Sequence, residues 1–360
     1  MSRGTAHIEI VPLAPAHLPA VIKFSERAWN RPRSEAFYRW RYLRAPAQRV
    51  LLALRGEDCV AMIDAFLRDY RLGAERRTCL EPLDWYCLPE FRGFGLGVRV
   101  LQTLMKGAEP IVFIGGTTAT LALLPRLGCR KMTTVTRHRL PLDGSVVTDS
   151  LRRRFRIPPM AGQAAFALLG RPWFSPRIRA RPSGGQVRPV SSVGEEIFPL
   201  YEGETGYRVL PLPNFAHLRW LTGEFPEAGP FGMFHFVVGG ELRGWSLLRV
   251  HGPEGRRGVT LVDAYAPRPD EALYTWMVSE SLIRAAEFRP IAIDTATACP
   301  ILRRALQRNR FIETDPAPVY VWPAGLPGAS DPVHLVRNAS DGGLFPYPSG
   351  FPSGPTPREL

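Results

Sequence analysis

The sequence contains an internal repeat with a spacing of about 180 residues, half the length of the 360-residue chain. Residues 36–46, AFYRWRYLRAP, match residues 216–226, AHLRWLTGEFP, with an Arg-Trp pair and a final proline in the same places. Two further matches follow in the same order: LDWY at 83–86 with VDAY at 262–265, and PIVF at 110–113 with PIAI at 290–293. Solenoid repeats are only about 20–50 residues long. The repeat therefore predicts two copies of one domain in tandem, in a chain longer than the ~250–300 residues of most single cores.

Each copy combines strands and helices. Two apolar runs in each copy, LLAL before VAMIDAF and FHFVV before GWSLLRV, flank a tight polar turn, which is typical of a β-hairpin. A strand–helix–strand–helix–strand order follows, so we predict an α/β (α+β) fold of two domains, each a mixed, mostly antiparallel sheet flanked by helices. In the first copy we predict strands at 7–13, 50–54, 60–70, 79–87, 111–114 and 131–140, and helices at 15–29, 34–44, 95–106 and 118–127.

The copies are separated by a basic segment and followed by a tail. We predict a first domain at residues 1–140, a linker at 141–184, a second domain at 185–322 and a Pro/Gly-rich tail at 323–360. Eight arginines and no acidic residue lie in the linker between 151 and 182, which supplies 8 of the net charge of +13. This run could contact an anionic surface or remain a solvated connector. Its short apolar stretch, AAFALL, could pack across the domain junction or touch a membrane surface.

Composition excludes several classes of protein. No apolar stretch approaches the ~20 residues of a membrane span, and the N-terminus has no apolar signal core. The five cysteines are an odd number without a C-x-x-C pair, which favours a reducing cytoplasm and argues against a zinc site. No nucleic-acid-binding motif accompanies the positive charge. We expect a cytoplasmic protein with no metal and no nucleic-acid partner, and the sequence leaves the oligomeric state open.

A glycine-rich loop in the first copy carries the clearest chemical signal. The predicted strand 79–87 runs into the loop at residues 92–97, RGFGLG, and then into a helix. Backbone N–H groups at a helix N-terminus can bind a phosphate, and glycines let the backbone approach closely, although a plain strand–helix turn is the alternative. The next strand, 111–114, ends in Gly-Gly without an acidic residue, and no Gly-Lys-Ser/Thr is present. These features exclude a Rossmann fingerprint and a Walker loop.

The residues around this loop resemble a known family. The stretch PEFRGFGLGVRVLQTL resembles motif A of the GNAT superfamily of N-acetyltransferases, R/Q-x-x-G-x-G/A, with Arg92, Gly95 and Gly97 in the three fixed places. A second signature of the family, a helix that ends in a glycine turn, is similar to residues 117–130, TTATLALLPRLGCR. The resemblance extends over about residues 7–140.

The resemblance implies acetyl-CoA as the co-substrate. In the family, the end of the strand before the loop binds the pantetheine arm through its backbone, and the loop surrounds the pyrophosphate. The arm contacts implied here are Trp85, Tyr86 and Cys87, and the residues implied at the phosphates are Arg92, Gly93, Phe94, Gly95, Leu96, Gly97 and Val98. Tyr86 and Cys87 could equally be core residues, since cysteine is usually buried and inert.

The second copy keeps the framework of the first but not its chemistry. Residues 271–276, EALYTW, stand where the first copy has its loop, and none of them is glycine. Thr260 stands in the place of Glu81, whereas Asp263 repeats Asp84. We therefore expect acetyl-CoA to bind the first copy alone, and we predict a structural role for Asp84.

The resemblance also implies a general base but not a general acid. In some members a Glu six residues before the last arm contact takes the proton of the amine, which is Glu81 here, counted from Cys87. The alternative is an exposed Glu81 beside Pro82 at the start of a strand. The Tyr that commonly protonates the leaving thiolate is replaced by Leu124. Water, Tyr86 or a side chain of the second domain could serve instead.

The predicted function is an N-acetyltransferase that moves an acetyl group from acetyl-CoA to an amine of a small molecule or amino-sugar. We expect the acceptor surface between the copies, where Tyr38 and Tyr42 share a helix face and could line the cleft or pack in the core. The alternative function is a non-catalytic, acyl-CoA-binding regulatory or scaffold protein.

Overall fold

The computed structural model describes residues 7–29, 33–146, 160, 164, 166–223, 230–252, 255, 257–323 and 332–336. Most of the predicted tail, and the linker arginines between 152 and 156, lie outside these ranges. Within the described ranges the chain forms a large, mostly antiparallel sheet flanked by helices, which confirms the predicted fold class.

The bounds of the elements follow the predicted order. The strands are β1 (Ile8–Pro12), β2 (Gln48–Arg55), β3 (Asp58–Leu72), β4 (Glu75–Cys87), β5 (Ile111–Ile114), β6 (Arg130–Pro141), β7 (Gly185–Val190), β8 (Val209–Pro211), β9 (Phe231–Val238), β10 (Glu241–His251), β11 (Gly258–Tyr265), β12 (Ala292–Thr297) and β13 (Ile312–Trp322). The helices are α1 (Leu18–Trp29), α2 (Glu35–Tyr38, continued by a π turn over Arg39–Leu43), α3 (Leu96–Met105), α4 (Thr118–Leu123), α5 (Arg171–Phe174), α6 (Pro199–Glu202), α7 (Phe215–Gly223), α8 (Glu271–Ala286) and α9 (Pro300–Arg308).

Two predicted helices are shorter than their sequence pattern. The helix predicted at 34–44 begins at the Ser34 cap, whose side chain accepts a hydrogen bond from Phe37 N, and then widens into the π turn. The helix predicted at 118–127 changes to a 3-10 turn at Leu124, because Pro125 cannot donate the hydrogen bond that continues an α-helix.

The strand order shows the repeat directly. Thirteen strands form one sheet within the described residues, in the order β1-β2-β3-β4-β5-β13-β6-β12-β11-β10-β9-β7, with β8 paired to β3. Counted inward from one edge, the first copy contributes β1 to β5. Counted inward from the other edge, the second copy contributes β7, β9, β10, β11 and β12 in the equivalent positions. Each copy contributes its last strand to the other, since β13 pairs with β5 and β6 pairs with β12. The two exchanged strands also pair with each other at the centre.

The two helices identified by the repeated Arg-Trp pair meet across this centre. The rings of Trp40 and Trp220 stack with centroids 4.2 Å apart. Trp40 Nε1 donates to the carbonyl oxygen of Trp220 at 3.3 Å, and Trp220 Nε1 donates to that of Trp40 at 3.1 Å. These reciprocal contacts join the two copies by equivalent residues.

The described part of the linker packs against itself. Phe166 is buried and stacks on Phe174 with ring centroids 6.0 Å apart, whereas Leu168 is exposed. This contact lies within the linker, so packing of the AAFALL stretch across the domain junction and contact with a membrane surface both stay predictions.

The Trp40–Trp220 contact predicts strong energetic coupling between the copies. We expect Trp40→Ala and Trp220→Ala each to lower the free energy of unfolding by about 3–5 kcal/mol, because each leaves a cavity in a packed core. The double variant should fall short of the sum by at least about 1 kcal/mol, since each single change already breaks the shared stack. Urea unfolding followed by far-ultraviolet circular dichroism measures these values.

A matched control uses Trp276, which is also fully buried but packs on Phe236 of the second copy. Trp40→Ala and Trp276→Ala should be additive within about 0.5 kcal/mol. Two separate unfolding transitions in the wild type, or additivity of the Trp40 and Trp220 changes, would contradict the coupling.

Candidate functional site

A gap between β4 and β5 defines the site. The two strands run parallel but pair only at Leu80 and Ile111, where Leu80 N donates to Pro110 O at 2.8 Å. Beyond this pair β5 pairs on its other side with β13 up to Ile114. The stretch Glu81–Cys87 therefore has no strand register with β5 in the described structure.

A bulge in β4 sets the directions of the residues along the gap. The pairing of β3 with β4 shifts register between Met62 and Asp64, and Asp84 has a positive φ of 41°. After the bulge, Trp85 Nε1 donates to Gly97 O at 3.0 Å, while Tyr86 packs on the other face against α1. A bulge is a common device for re-aiming side chains beside a site.

A buried polar network holds this bulge in place. The Asp84 carboxylate accepts hydrogen bonds from Arg41 Nη2 at 3.0 Å and from the Tyr42 hydroxyl at 2.9 Å. Arg41 also pairs with the buried Asp64, to which Gln48 Nε2 donates at 2.6 Å. The predicted structural role of Asp84 is thus observed as an ion pair. A charged residue inside the apolar run VAMIDAF was the sequence signal for this network.

The glycine-rich loop ends the gap and begins α3. Residues 89–94 form a 3-10 turn, Gly95 adopts the left-handed conformation with φ 68°, and no side chain caps α3. A Cβ at Gly97 would approach Cys87 Cβ to 3.4 Å, so this helix and β4 pack closely. The N–H groups of the first turn of α3 thus lie at the positive end of the helix dipole without a side-chain cap, an arrangement that suits an anion.

The remaining loop residues lie next to this helix terminus. The Phe94 side chain is 79% exposed, and Gly93 has open space where a Cβ would lie. Arg92 folds back on β4, where its Nε donates to Cys87 O at 3.1 Å and its guanidinium lies 5.1 Å from the Tyr86 ring centroid. Burial raises the pKa of the Cys87 thiol, so this residue is a protonated, packed group beside the gap.

In the second copy, side chains bond the helix N-terminus and the strand end that are equivalent to those of the first copy. Asp270 caps α8 and accepts hydrogen bonds from Ala272 N at 2.8 Å and Leu273 N at 3.1 Å, which puts a carboxylate where an anion would bind. The Tyr274 hydroxyl accepts from Ala266 N at 3.0 Å, and Ala266 stands where the first copy has Cys87. In the second copy, protein groups therefore bond both the helix terminus and the end of the strand that precedes it.

Glu81 lies at the closed end of the gap. It is fully buried, accepts a short hydrogen bond from the Tyr70 hydroxyl and pairs with Arg68, whose Nε is 3.4 Å from Glu81 Oε1. The alternative of an exposed Glu81 is therefore wrong, because the β3 side chains Arg68 and Tyr70 cover it. Arg68 Nη2 also contacts His217 Nε2 of the second copy at 3.3 Å. This three-part contact was invisible in the sequence, because its members come from separate segments.

Several other candidate residues are packed in the core. Leu124 is fully buried and brings no acid to the site, and Thr117 caps α4 by accepting from Thr120 N at 3.2 Å. Tyr38 and Tyr42 are both buried, with rings 6.3 Å apart. They match the packed alternative and do not line an open cleft.

Two other kinds of feature are absent from the described residues. No group of three or more His, Cys, Asp or Glu side chains that could hold a metal ion occurs among them. None of the helices in the described ranges combines the length and the apolar character that crossing a bilayer demands.

Comparisons with known proteins agree with this geometry. Residues 17–120 match the sequence model of the acetyltransferase (GNAT) family. Sequence comparison with curated proteins gives no significant match. Three solved structures share the fold. One is a GCN5-related N-acetyltransferase from Anabaena variabilis, at 11% identity and TM-score 0.57, covering 88% of this chain and 72% of the other.

The second similar structure is a probable N-acyltransferase from Enterococcus faecalis, at 10% identity and TM-score 0.57, again covering 88% of this chain and 72% of the other. The third is the N-myristoyltransferase of Saccharomyces cerevisiae with bound myristoyl-CoA, at 11% identity and TM-score 0.60, covering 93% of this chain and 86% of the other. At such low identity these matches establish the fold.

The buried His217 predicts a loss of stability in mild acid. Burial, followed by the charges of Arg68 and Arg41, holds the pKa of His217 well below its usual range. The unfolded chain binds a proton below pH ~6.5 that the folded chain excludes, so stability is full above this pH and falls below it by up to about 1.4 kcal/mol per pH unit. His217→Gln keeps a hydrogen-bond acceptor for Arg68 but removes this titration.

Urea unfolding at pH 7 and pH 5 measures the effect. The wild type should be more stable than His217→Gln at pH 7, and this difference should shrink by about 1–2 kcal/mol at pH 5. A difference that stays constant with pH would contradict a neutral, buried His217.

Proposed function

We propose that this chain, whose residues 17–120 belong to the GNAT acetyltransferase family, transfers an acetyl group from acetyl-CoA to the amine of a small molecule or amino-sugar. The observation that carries the proposal is the gap between β4 and β5, which leads from Leu80 to the uncapped N-terminus of α3. A gap with free strand edges suits a narrow amide-containing arm, and the helix terminus suits a pyrophosphate.

The residues proposed for acetyl-CoA follow from their places along this gap. The backbone of Trp85, Tyr86 and Cys87 lies on the open edge of β4, where it can pair with the amides of the pantetheine arm. The loop 93–98 supplies backbone N–H groups to the phosphates. Arg92 now bonds Cys87 O, and rotation of its side chain would release both this carbonyl and a positive charge for the coenzyme.

Glu81 is the proposed general base. Transfer requires that the attacking nitrogen loses a proton and that the departing thiolate gains one. Glu81 lies at the closed end of the gap, where it pairs with Arg68 and accepts a hydrogen bond from the Tyr70 hydroxyl. The protonation of the thiolate has no assigned side chain, because Leu124 stands in the usual place.

A second candidate function is a non-catalytic acyl-CoA-binding regulator. Two observations favour it: the apolar Leu124, and the ion pair that occupies Glu81. The two functions differ in one measurement, the release of free thiol from acetyl-CoA over a panel of small amines. A catalyst releases one free thiol for each acceptor molecule that it acetylates, whereas a regulator binds acetyl-CoA and releases no thiol.

We expect one acetyl-CoA site per chain by isothermal titration calorimetry. Gly95→Glu should weaken binding at least about 100-fold, because it forces a side chain into a left-handed residue and places a carboxylate beside the phosphates. Gly56→Glu is a matched control: Gly56 has φ 62° and open surroundings in the turn between β2 and β3, away from the gap. A second site of similar affinity, or equal losses in both variants, would refute the proposed coenzyme site.

We expect Glu81→Gln to lower turnover by about 10²–10⁴-fold, the usual contribution of a general base. Acetyl-CoA affinity should stay within about twofold. The matched control is Glu280→Gln, which alters a buried glutamate that accepts from Trp276 Nε1 in the second copy. A Glu81→Gln enzyme with wild-type turnover would leave Glu81 a purely structural residue.

A further inference from the structure

Residues 332–336, here called the strap, join two strands at the junction of the copies. On one side Val333 bridges Val209 of β8, and on the other side Val336 bridges Thr297 of β12. Because β8 also pairs with β3, the pairings form a closed circuit, the strand ring, through β3, β4, β5, β13, β6, β12, the strap and β8. Within the described residues the strap alone joins β8 to β12, so its release would open the strand ring.

The strand ring encloses an apolar core of its own. Val209, Val333 and Leu335 pack in one cluster with side chains from every other strand of the ring, among them Tyr70 of β3 and Cys79 of β4. All five of these side chains are buried. The Tyr70 hydroxyl bonds Glu81, so the carboxylate of the proposed base lies beside this enclosed core.

This enclosure restricts access to Glu81. The residue is 0% exposed, yet a general base must come within hydrogen-bond reach of the amine that it deprotonates. In the proposed function the gap between β4 and β5 is taken by the pantetheine arm of acetyl-CoA. The acceptor therefore has to approach Glu81 from the side of the strand ring, and part of the ring has to open.

The strap is the member of the strand ring with the shortest pairings. It is held by a single bridge on each side, whereas every other strand of the ring pairs with at least one neighbour over three or more positions. Its backbone bonds include His334 N to Val209 O at 2.8 Å and Ala298 N to Leu335 O at 2.8 Å. A segment with few backbone hydrogen bonds opens at a lower free-energy cost than a long ladder.

The side chain of His334 is held by packing. It is 2% exposed, its ring centroid lies 4.9 Å from that of Tyr207, and neither of its nitrogens has a hydrogen-bond partner among the described residues. His334 lines a small cavity at the junction together with Arg68 and Asp263, and Arg68 pairs with Glu81. Withdrawal of His334 with the strap would therefore widen this cavity toward Arg68 and Glu81.

We propose that the strap is a gate for the acceptor. It leaves β8 and β12 to admit the amine to the ring side of Glu81, while acetyl-CoA occupies the gap, and then pairs with both strands again. The inference rests on the proposed function, because it assigns the route by which the acceptor reaches the proposed base.

The native Cys79 reports the opening of the strand ring. Burial raises the pKa of the Cys79 and Cys59 thiols to about 12, but Cys59 packs in the other apolar cluster, so the two thiols form a matched pair. The full-length wild type is treated with N-ethylmaleimide, and the labelled peptides are followed by mass spectrometry. Cys79 should react at least about tenfold faster than Cys59, because local opening exposes it without global unfolding. Equal rates would overturn the gate.

A cross-link between the strap and β8 distinguishes release of the strap from fraying of the β3–β4 hairpin. Val209→Cys combined with Val333→Cys places two thiols at bridged positions, and neighbouring strands about 4.7–4.9 Å apart lie within the range of a disulfide. The oxidised variant should label Cys79 at least about tenfold more slowly than the wild type does, because the strap can no longer leave β8.

The same variant tests the route of the acceptor. Oxidation should lower the acetylation of glucosamine and of n-butylamine at least about tenfold, because the lid stays closed, with acetyl-CoA affinity unchanged. Reduction by a phosphine should restore the acetylation, which is measured by mass spectrometry of the product. Wild-type acetylation by the cross-linked chain would overturn the proposal, since the acceptor would then reach Glu81 by another route.

A matched control carries Arg188→Cys and His235→Cys, which cross-link β7 to β9 outside the strand ring. Its oxidised form should match the wild type in Cys79 labelling and in acetylation. If the strap variant does not fold, hydrogen exchange of the wild type decides, because strap amides that exchange more slowly than Cys79 reacts would exclude the gate.

Acetyl-CoA binding and acetylation by the wild type separate the two proposals. If the wild type acetylates an amine and the cross-link has no effect, the gate fails and the proposed function stands. If the wild type binds no acetyl-CoA or acetylates no amine, the proposed function fails by its own measurement, whereas Cys79 labelling still shows whether the strap opens.

Discussion

The pairing of β6 with β13 at the centre of the sheet is the constraint on which the structure depends. Each of these strands adds the last strand to the sheet of the other copy, so neither copy has all of its strands without its neighbour. The stacked Trp40 and Trp220 reinforce this junction from the helix side. In this arrangement β5 pairs with β13 over Ile111–Ile114 on one side and with β4 only at Ile111 on the other, where the candidate site lies.

The two copies illustrate how one framework can keep or lose an anion site. In the first copy, Gly95 turns the chain so that α3 presents uncapped N–H groups. In the second, the Asp270 carboxylate satisfies the same groups of α8, and the Tyr274 hydroxyl occupies the strand edge. A helix N-terminus can bind an external anion or a side-chain carboxylate, but not both. The second copy instead contributes walls to the junction, among them His217 and Asp263.

Buried charges connect the copies to the site. Arg68 contacts Glu81 of its own copy and His217 of the other, and it also lines the cavity between them. In an apolar interior these contacts are strong, and losing one partner leaves an uncompensated charge. Arg68 therefore joins the second copy to the closed end of the gap by direct contact.

The sequence by itself determined the repeat, the order of strands and helices and the position of the glycine-rich loop, because these features depend on local patterns of apolar and glycine residues. It also indicated that the second copy had lost its loop. Only the tertiary structure decided that the last strands are exchanged, since a strand's sequence does not specify which neighbour it pairs with. The burial of Glu81 by Arg68 and Tyr70, the Arg41–Asp84 network and the cavity at His334 were likewise decided by folding, because their residues are distant in the chain and meet only through packing.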